Sequence, residues 1–312
     1  MIPYQQTAEG CRVEGAAHRE LRVAHDRVGV QVRRRARFPW LRVARVPRFG
    51  RSLSGDAQDV IGALVDMALR ERFSQVRVEV WNEDAIQRMG IAKALRAAGF
   101  RPSRSHRSYR HTIWIDLRAS EEDLFAGFHA TCRRHIRAPA KRGYLSASLT
   151  DRRFGHRLAS LITQSFRRTG GRAPSVDWDD LLRQSGLPDA PVRIEGLFAD
   201  GSDAPSGLVA FSVAYLHGDV AEYAHAGSDR TSDGVPLLYA PTWNLMRWAR
   251  AAGARDWDFG GVPRGDNLRS LSGIKTFKRY FSRDVRPVGE EWELILRRPS
   301  DLLGLRHRLS PP

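Results

Sequence analysis

The apolar pattern of this 312-residue chain describes an α/β protein made of two alike units. Helix, strand, helix, strand occurs in that order twice, once toward the end of each half. Ahead of the second copy lie three alternating apolar segments with short connections, which read as an antiparallel meander. The expected fold class is therefore α/β (α+β), with two mixed, mostly antiparallel sheets flanked by helices.

The elements follow in order. Val28–Val32 and Leu41–Val46 are valine-rich and read as a strand pair. Ala57–Glu71 carries Val60, Ile61, Leu64, Val65, Ala68 and Leu69 on one stripe, with Asp56 placed to cap it. Gln75–Trp81 alternates, with Val76, Val78 and Val80 on one face. Ala85–Ala98 is a second helix, bearing Ile86, Met89, Leu95 and Ala98 and closed by Gly99. His111–Leu117 is the strand that completes the first copy, and Glu121–Arg142 is a basic helix. The meander comprises Val192–Phe198, Gly207–Tyr215 and Asp219–Ala226. Then come a helix over Pro236–Ala252 ended by Gly253, a short strand Asp256–Phe259, a helix Gly273–Phe281 and a strand Glu291–Arg297. This predicts a first domain over 1–118, a connecting basic helix over 119–145, and a second domain over 146–312.

Composition narrows the chemistry. Fifty-one basic against 35 acidic residues give a net charge of +16, nearly all of it arginine, which grips phosphate bidentately. Polyanions are the expected partners: nucleic acid, a nucleotide-linked substrate or an anionic membrane face. No apolar run is long enough to span a membrane, and the N-terminus lacks a basic start followed by an apolar core, so a cytoplasmic location is expected. Cys11 and Cys132 are too few for a disulfide framework or a thiolate metal site.

Four constellations stand out. From Asp256 to Phe281 a strand runs into Gly260–Gly261, a loop, and a helix containing Lys278. Glycine-turn and helix-start N–H groups with a nearby lysine make an anion cradle. Arg133, Arg137 and Lys141 fall on one helical face if Pro139 does not break the helix. Like charges at that spacing repel unless an anion lies against them; the plainer alternative is a solvated helix. Arg167, Arg168 and Arg172 surround Gly170–Gly171, either a phosphate-binding loop or a surface turn. Gln87–Ala92, QRMGIA, matches the pyrophosphate loop of coenzyme A-dependent acetyltransferases, but an apolar stripe running through it argues for helix. His135 and His225 have no metal-ligand spacing, and no GxSxG elbow is present, so direct transfer between two bound substrates fits better than covalent catalysis.

A meander followed by helix, strand, helix and strand resembles a GNAT-type fold. Several segments together resemble the Fem family of peptidoglycan bridge-forming aminoacyltransferases, which are built of two GNAT-like domains. They are TIWIDLRASEEDLFAGF (Thr112–Phe128), RRHIRAPAKRGY (Arg133–Tyr144), AEYAHAGSD (Ala221–Asp229), LYAPTWNLMRWARAAGARDWDFGGV (Leu238–Val262) and GIKTFKRYF (Gly273–Phe281). Pro139 and Ser282 depart from the family pattern, and no heptad insertion is present.

The resemblance implies transfer of an amino acid from aminoacyl-tRNA to the side-chain amine of a nucleotide- or lipid-linked peptidoglycan precursor, with no cofactor. In that reading Lys278 steadies the developing charge, and Arg133, Arg137, Lys141 and Arg172 contact phosphates. Tyr223 and Ser228 line the groove, and Gly260 and Gly261 shape the cradle. Asp258 positions the amine, takes its proton, or caps the following turn. A second expectation is an acyl-CoA-dependent N-acyltransferase acting on a cell-envelope sugar or polysaccharide precursor; a third is a non-catalytic binder of RNA or anionic lipid. The basic segment Arg297–Arg308 is a candidate for peripheral contact with the inner membrane face.

Overall fold

The computed structural model describes residues 2–35, 38–103, 110–199, 201–230, 234–262 and 272–297. The basic segment from 298 onward and the stretch 263–271 lie outside the described residues.

In the first unit the described elements are α1 (Ala8–Val13), β1 (Ala17–Val23), β2 (Asp26–Arg35), β3 (Phe38–Gly50), α2 (Ala57–Arg70), β4 (Gln75–Trp81), α3 (Ala85–Ala97) and β5 (Arg101–Pro102). The second begins with β6 (His111–Asp116), α4 (Glu121–Gly127), α5 (Ala130–Lys141), β7 (Leu145–Ser148), α6 (Gly155–Arg168), α7 (Trp178–Ser185) and β8 (Val192–Phe198). It continues with β9 (Leu208–His217), β10 (Val220–Ser228), α8 (Tyr239–Ala251), β11 (Asp256–Gly261), α9 (Ser272–Phe281) and β12 (Val285–Pro287). The last described strand is β13 (Glu291–Ile295).

One sheet runs β1-β2-β3-β4-β13-β5 and the other β12-β6-β11-β10-β9-β8-β7. Each contains a parallel pair, β3 with β4 and β10 with β11, beside antiparallel neighbours. The compact units are 1–110 with 287–312, and 111–286. They replace the expected division at 118/119 and 145/146, for a simple reason: the two copies exchange their last strands. β6 follows α3 in sequence yet pairs with β11, and β13 follows α9 yet pairs with β4. Strand alternation reveals which face is buried, not which sheet takes the strand. Ile113, Ile115 and Leu117 therefore bury in the second core, and Trp292 in the first. Each such large side chain contributes about 1.5–3 kcal/mol on full burial.

Further departures are local. The basic helix expected over Glu121–Arg142 is two helices, broken where Phe128 takes an extended conformation (ψ 151°). Arg133 fastens the break, its Nη1 donating to the carbonyl of Ala126 at 2.8 Å and to that of Phe128. Pro139 sits in the last turn of α5 without ending it. In α3 the buried side is Ile91, Ala94 and Leu95, while Ile86 and Met89 of the expected stripe are 77% and 65% exposed. Asp56 caps α2 as expected, accepting from Gln58 N at 2.9 Å.

Candidate functional site

The two parallel strand pairs differ in one respect. In the first unit β3 and β4 stay in register past a bulge to their ends, Phe49 opposite Val80 and Gly50 opposite Trp81. Arg48 fills the bulge, buried, with its guanidinium 4.1 Å over the Trp81 ring. In the second unit the register stops early: Val220 opposite Asp256, Ala221 opposite Trp257, Glu222 opposite Asp258. Just beyond, β10 is irregular between Tyr223 and His225 and β11 between Asp258 and Gly261. The β10–β11 register thus ends at the level where each strand is irregular against its other neighbour, and a parallel pair that opens there leaves a wedge of the kind that receives an extended ligand.

The helices that follow differ in the same sense. α2 begins under the Asp56 carboxylate, whereas α8, in the corresponding place, begins at Leu238 without a capping side chain. The QRMGIA stretch lies within α3, and Asp84 Oδ1 accepts from Ile86 N at 2.7 Å and Gln87 N at 3.0 Å. A carboxylate thus already occupies helix-start N–H groups that a pyrophosphate would need, and the stretch is ordinary helix.

At the wedge, β11 turns through Gly260 at φ +68°, a conformation glycine adopts without strain. Gly260 N donates to Asp258 Oδ1 at 2.8 Å, so Asp258, fully buried, caps the turn. The Thr112 hydroxyl on β6 donates to the same carboxylate oxygen and lies 2.9 Å from the Gly260 carbonyl. Lys278 on α9 is 7% exposed, and its ammonium donates to the Gly261 carbonyl at 2.8 Å. The two ends of the sequence motif, Asp258–Gly261 and Lys278, are therefore joined.

Aromatic rings surround it. Phe277, next to Lys278, lies 4.8 Å from Tyr239 and 6.2 Å from Tyr223, whose ring is also 5.5 Å from Phe259. Burial pushes the Tyr223 phenol up, opposed by the Ser212 and Thr242 hydroxyls beside it, so it stays a neutral donor at neutral pH. Burial, then Cys132 and Tyr280, push Tyr239 up as well. Burial pushes His225 down to about 4; it lies edge-on to Trp178 and Tyr215, with Nε2 buried and unpartnered. Residues two apart on a regular strand share a face, but the bulge sends the Tyr223 and His225 rings to different neighbours. Both cysteines are buried, with thiols pushed up to about 12, so neither is a ready nucleophile.

The remaining expected residues are dispersed. Arg133 is engaged in holding the α4–α5 break. Arg137 is exposed and stacks 4.7 Å over Phe125; Lys141 and Arg172 are exposed. Ser228 is held by its backbone against α6, its N donating to Ser165 Oγ at 3.0 Å and its carbonyl accepting from Arg168 at 2.6 Å. Gly227 beside it is required by close approach: a Cβ there would lie 2.7 Å from Ile162 N. Thr112 and Tyr239 belong to the site without having been expected there. Thr112 was hidden because its strand seemed to belong to the other unit. Among the described residues no group of His, Cys, Asp and Glu converges on a metal position.

Compared with solved structures, the chain superposes on FemX over 96% of its length and 92% of the other, with a TM-score of 0.70 at 15% identity. This is the fold of FemX. The same FemX-like architecture matches the C-terminal domain (DUF2156) of a putative lysylphosphatidylglycerol synthetase from Agrobacterium fabrum, at 15% identity and TM-score 0.59, covering 96% and 90%. L-PGS from Bacillus licheniformis matches at 15% identity and TM-score 0.55, covering 94% and 88%. No family model and no curated protein matches the sequence. Among the described residues no helix is long and apolar enough to cross a membrane.

Proposed function

We propose that the protein is an acyltransferase that moves an amino acid from aminoacyl-tRNA to an amine of a peptidoglycan precursor, using the open sheet of the 111–286 unit. The observation that carries this reading is the buried Lys278 ammonium, fixed on the Gly261 carbonyl beside diverging strands, in a chain with the FemX fold over nearly its whole length. In the reaction the acceptor amine attacks the ester carbonyl carbon. The C–N bond forms and the C–O bond to the ribose breaks; the nitrogen gives up a proton and the ribose oxygen takes one up. Negative charge builds first on the carbonyl oxygen and then on the leaving oxygen. A fixed ammonium and the uncapped start of α8 are donors of the kind that lower such a barrier. The exposed Arg137, Lys141 and Arg172 suit the phosphates of an RNA or a nucleotide-linked acceptor.

Asp84 at the start of α3 and Asp56 at the start of α2 weigh against a coenzyme A pyrophosphate in the first unit. A second reading, transfer to a lipid headgroup, is supported by the two synthetase folds. The test is incubation with a charged tRNA pool and, in parallel, a UDP-linked muropeptide or phosphatidylglycerol vesicles, read by mass. One added residue on the muropeptide supports the proposal, and one on the lipid favours the second reading. Thiol release from acyl-CoA with neither aminoacyl product would overturn both.

A further inference from the structure

Lys278 reaches the wedge from α9, and its ammonium donates to a backbone carbonyl, that of Gly261. A carbonyl is only as well placed as the turn that carries it. Gly260 has the left-handed φ of +68°, and glycine is the residue with the widest conformational freedom, so something must select one geometry. Asp258 does part of this by accepting the Gly260 N–H. Its carboxylate must in turn be held, because a rotation about its own side chain would release the turn. A group that holds it is the Thr112 hydroxyl, fully buried on the neighbouring strand β6 and touching both Asp258 Oδ1 and the Gly260 carbonyl. Thr112, Asp258, Gly260, Gly261 and Lys278 form a single hydrogen-bonded series across β6, β11 and α9.

We propose that Thr112 is a positioning residue, setting the place of the Lys278 ammonium through Asp258 and the Gly260–Gly261 turn. This rests on Lys278 being the group that steadies the transferred carbonyl. It also assigns Asp258 to the turn rather than to proton removal. A buried hydroxyl with charge-assisted bonding to a carboxylate is among the stronger neutral donors available, and small displacements of a catalytic group are costly in rate.

The test compares Thr112→Val, which keeps the shape and removes the hydroxyl, with Thr112→Ser, which keeps the hydroxyl. The first readout needs no substrate: the rate at which Lys278 is acetylated by acetic anhydride in the full chain, followed by peptide mass. Lys278 is expected to label slowly in the parent and in Thr112→Ser, and faster in Thr112→Val. The second readout, with whichever donor the parent uses, is expected to show kcat lowered about tenfold to a hundredfold in Thr112→Val, with KM little changed. Parental labelling and parental kcat in a cooperatively melting Thr112→Val would overturn the proposal. Should that variant not fold, Asp258→Asn weakens the same clamp by removing its charge. Its labelling rate should then lie above the parent's, and a parental rate would overturn the proposal equally. Because labelling does not depend on turnover, an inactive parent would count against the proposed function while leaving this inference tested.

Discussion

Glu222 and Asp258 are the last residues to face one another across the parallel pair β10–β11, and Asp258 is also where the turn toward Lys278 begins. The residue at which the sheet opens thus also caps the turn whose Gly261 carbonyl anchors the cation. The first unit has no such coincidence, because its parallel strands remain paired to Gly50 and Trp81.

Capping carboxylates in the first unit should be purely structural. Asp84→Ala removes the acceptor for two helix-start N–H groups and is expected to cost about 1 kcal/mol in stability. Transfer activity should be unchanged. Urea unfolding and initial rates, measured side by side, check both halves of the expectation.

Gly227→Ala should damage the packing of β10 on α6. The new Cβ would meet Ile162 N at 2.7 Å, the Leu161 carbonyl carbon at 2.8 Å and Phe211 Cε1 at 2.8 Å. Two of these are backbone atoms that cannot swing aside, so a loss of about 1–3 kcal/mol is expected. A variant melting at the parental temperature would contradict the packing described.

Much of this was legible in the sequence, and the failures have definite causes. Helix caps at Asp56, the meander, and the Asp258–Gly261 turn leading to Lys278 follow from local chemistry, and they stand where expected. Strand exchange between β6 and β13 was not legible, because HTIWIDL and EWELILR alternate equally well in either sheet. Thr112 was hidden with it. Ile86 and Met89 misled because helical spacing shows that apolar residues share a side, not that the side is covered. Arg133 reads as a phosphate contact by its spacing and by the resemblance; the break at Phe128 adds the carbonyls it serves, which spacing does not show.

His225 should make stability depend on acid. Its ordinary value of 6.5 falls to about 4 on burial, so the folded state refuses a proton that the unfolded chain accepts. Its contribution is complete above about pH 6.5, is lost progressively as pH falls toward 4, and levels off below that. The loss across this window should be about 2 kcal/mol or more. Unfolding free energies at stepped pH should show a slope that is reduced in His225→Gln; an identical slope would be contrary to the burial described.

The exposed cations of α5 should act through salt-dependent binding. Arg137→Ala combined with Lys141→Ala is expected to weaken binding to all tRNA species alike and to lower the slope of log K against log salt by about 1 for each phosphate no longer neutralised. Arg133→Ala should instead lower stability, by about 1 kcal/mol, since it leaves the Ala126 and Phe128 carbonyls without their donor. Binding titrations across a salt series, with melting curves, separate the two behaviours.

The most direct measurement is the single-turnover rate of aminoacyl transfer in Lys278→Met against the parent, with tRNA affinity determined on the same samples. A fall of about a hundredfold or more in the rate, with affinity and melting temperature nearly unchanged, is what an ammonium serving the transition state requires. An undiminished rate in a folded Lys278→Met protein would contradict the assignment of transfer to the Lys278 ammonium held on Gly261.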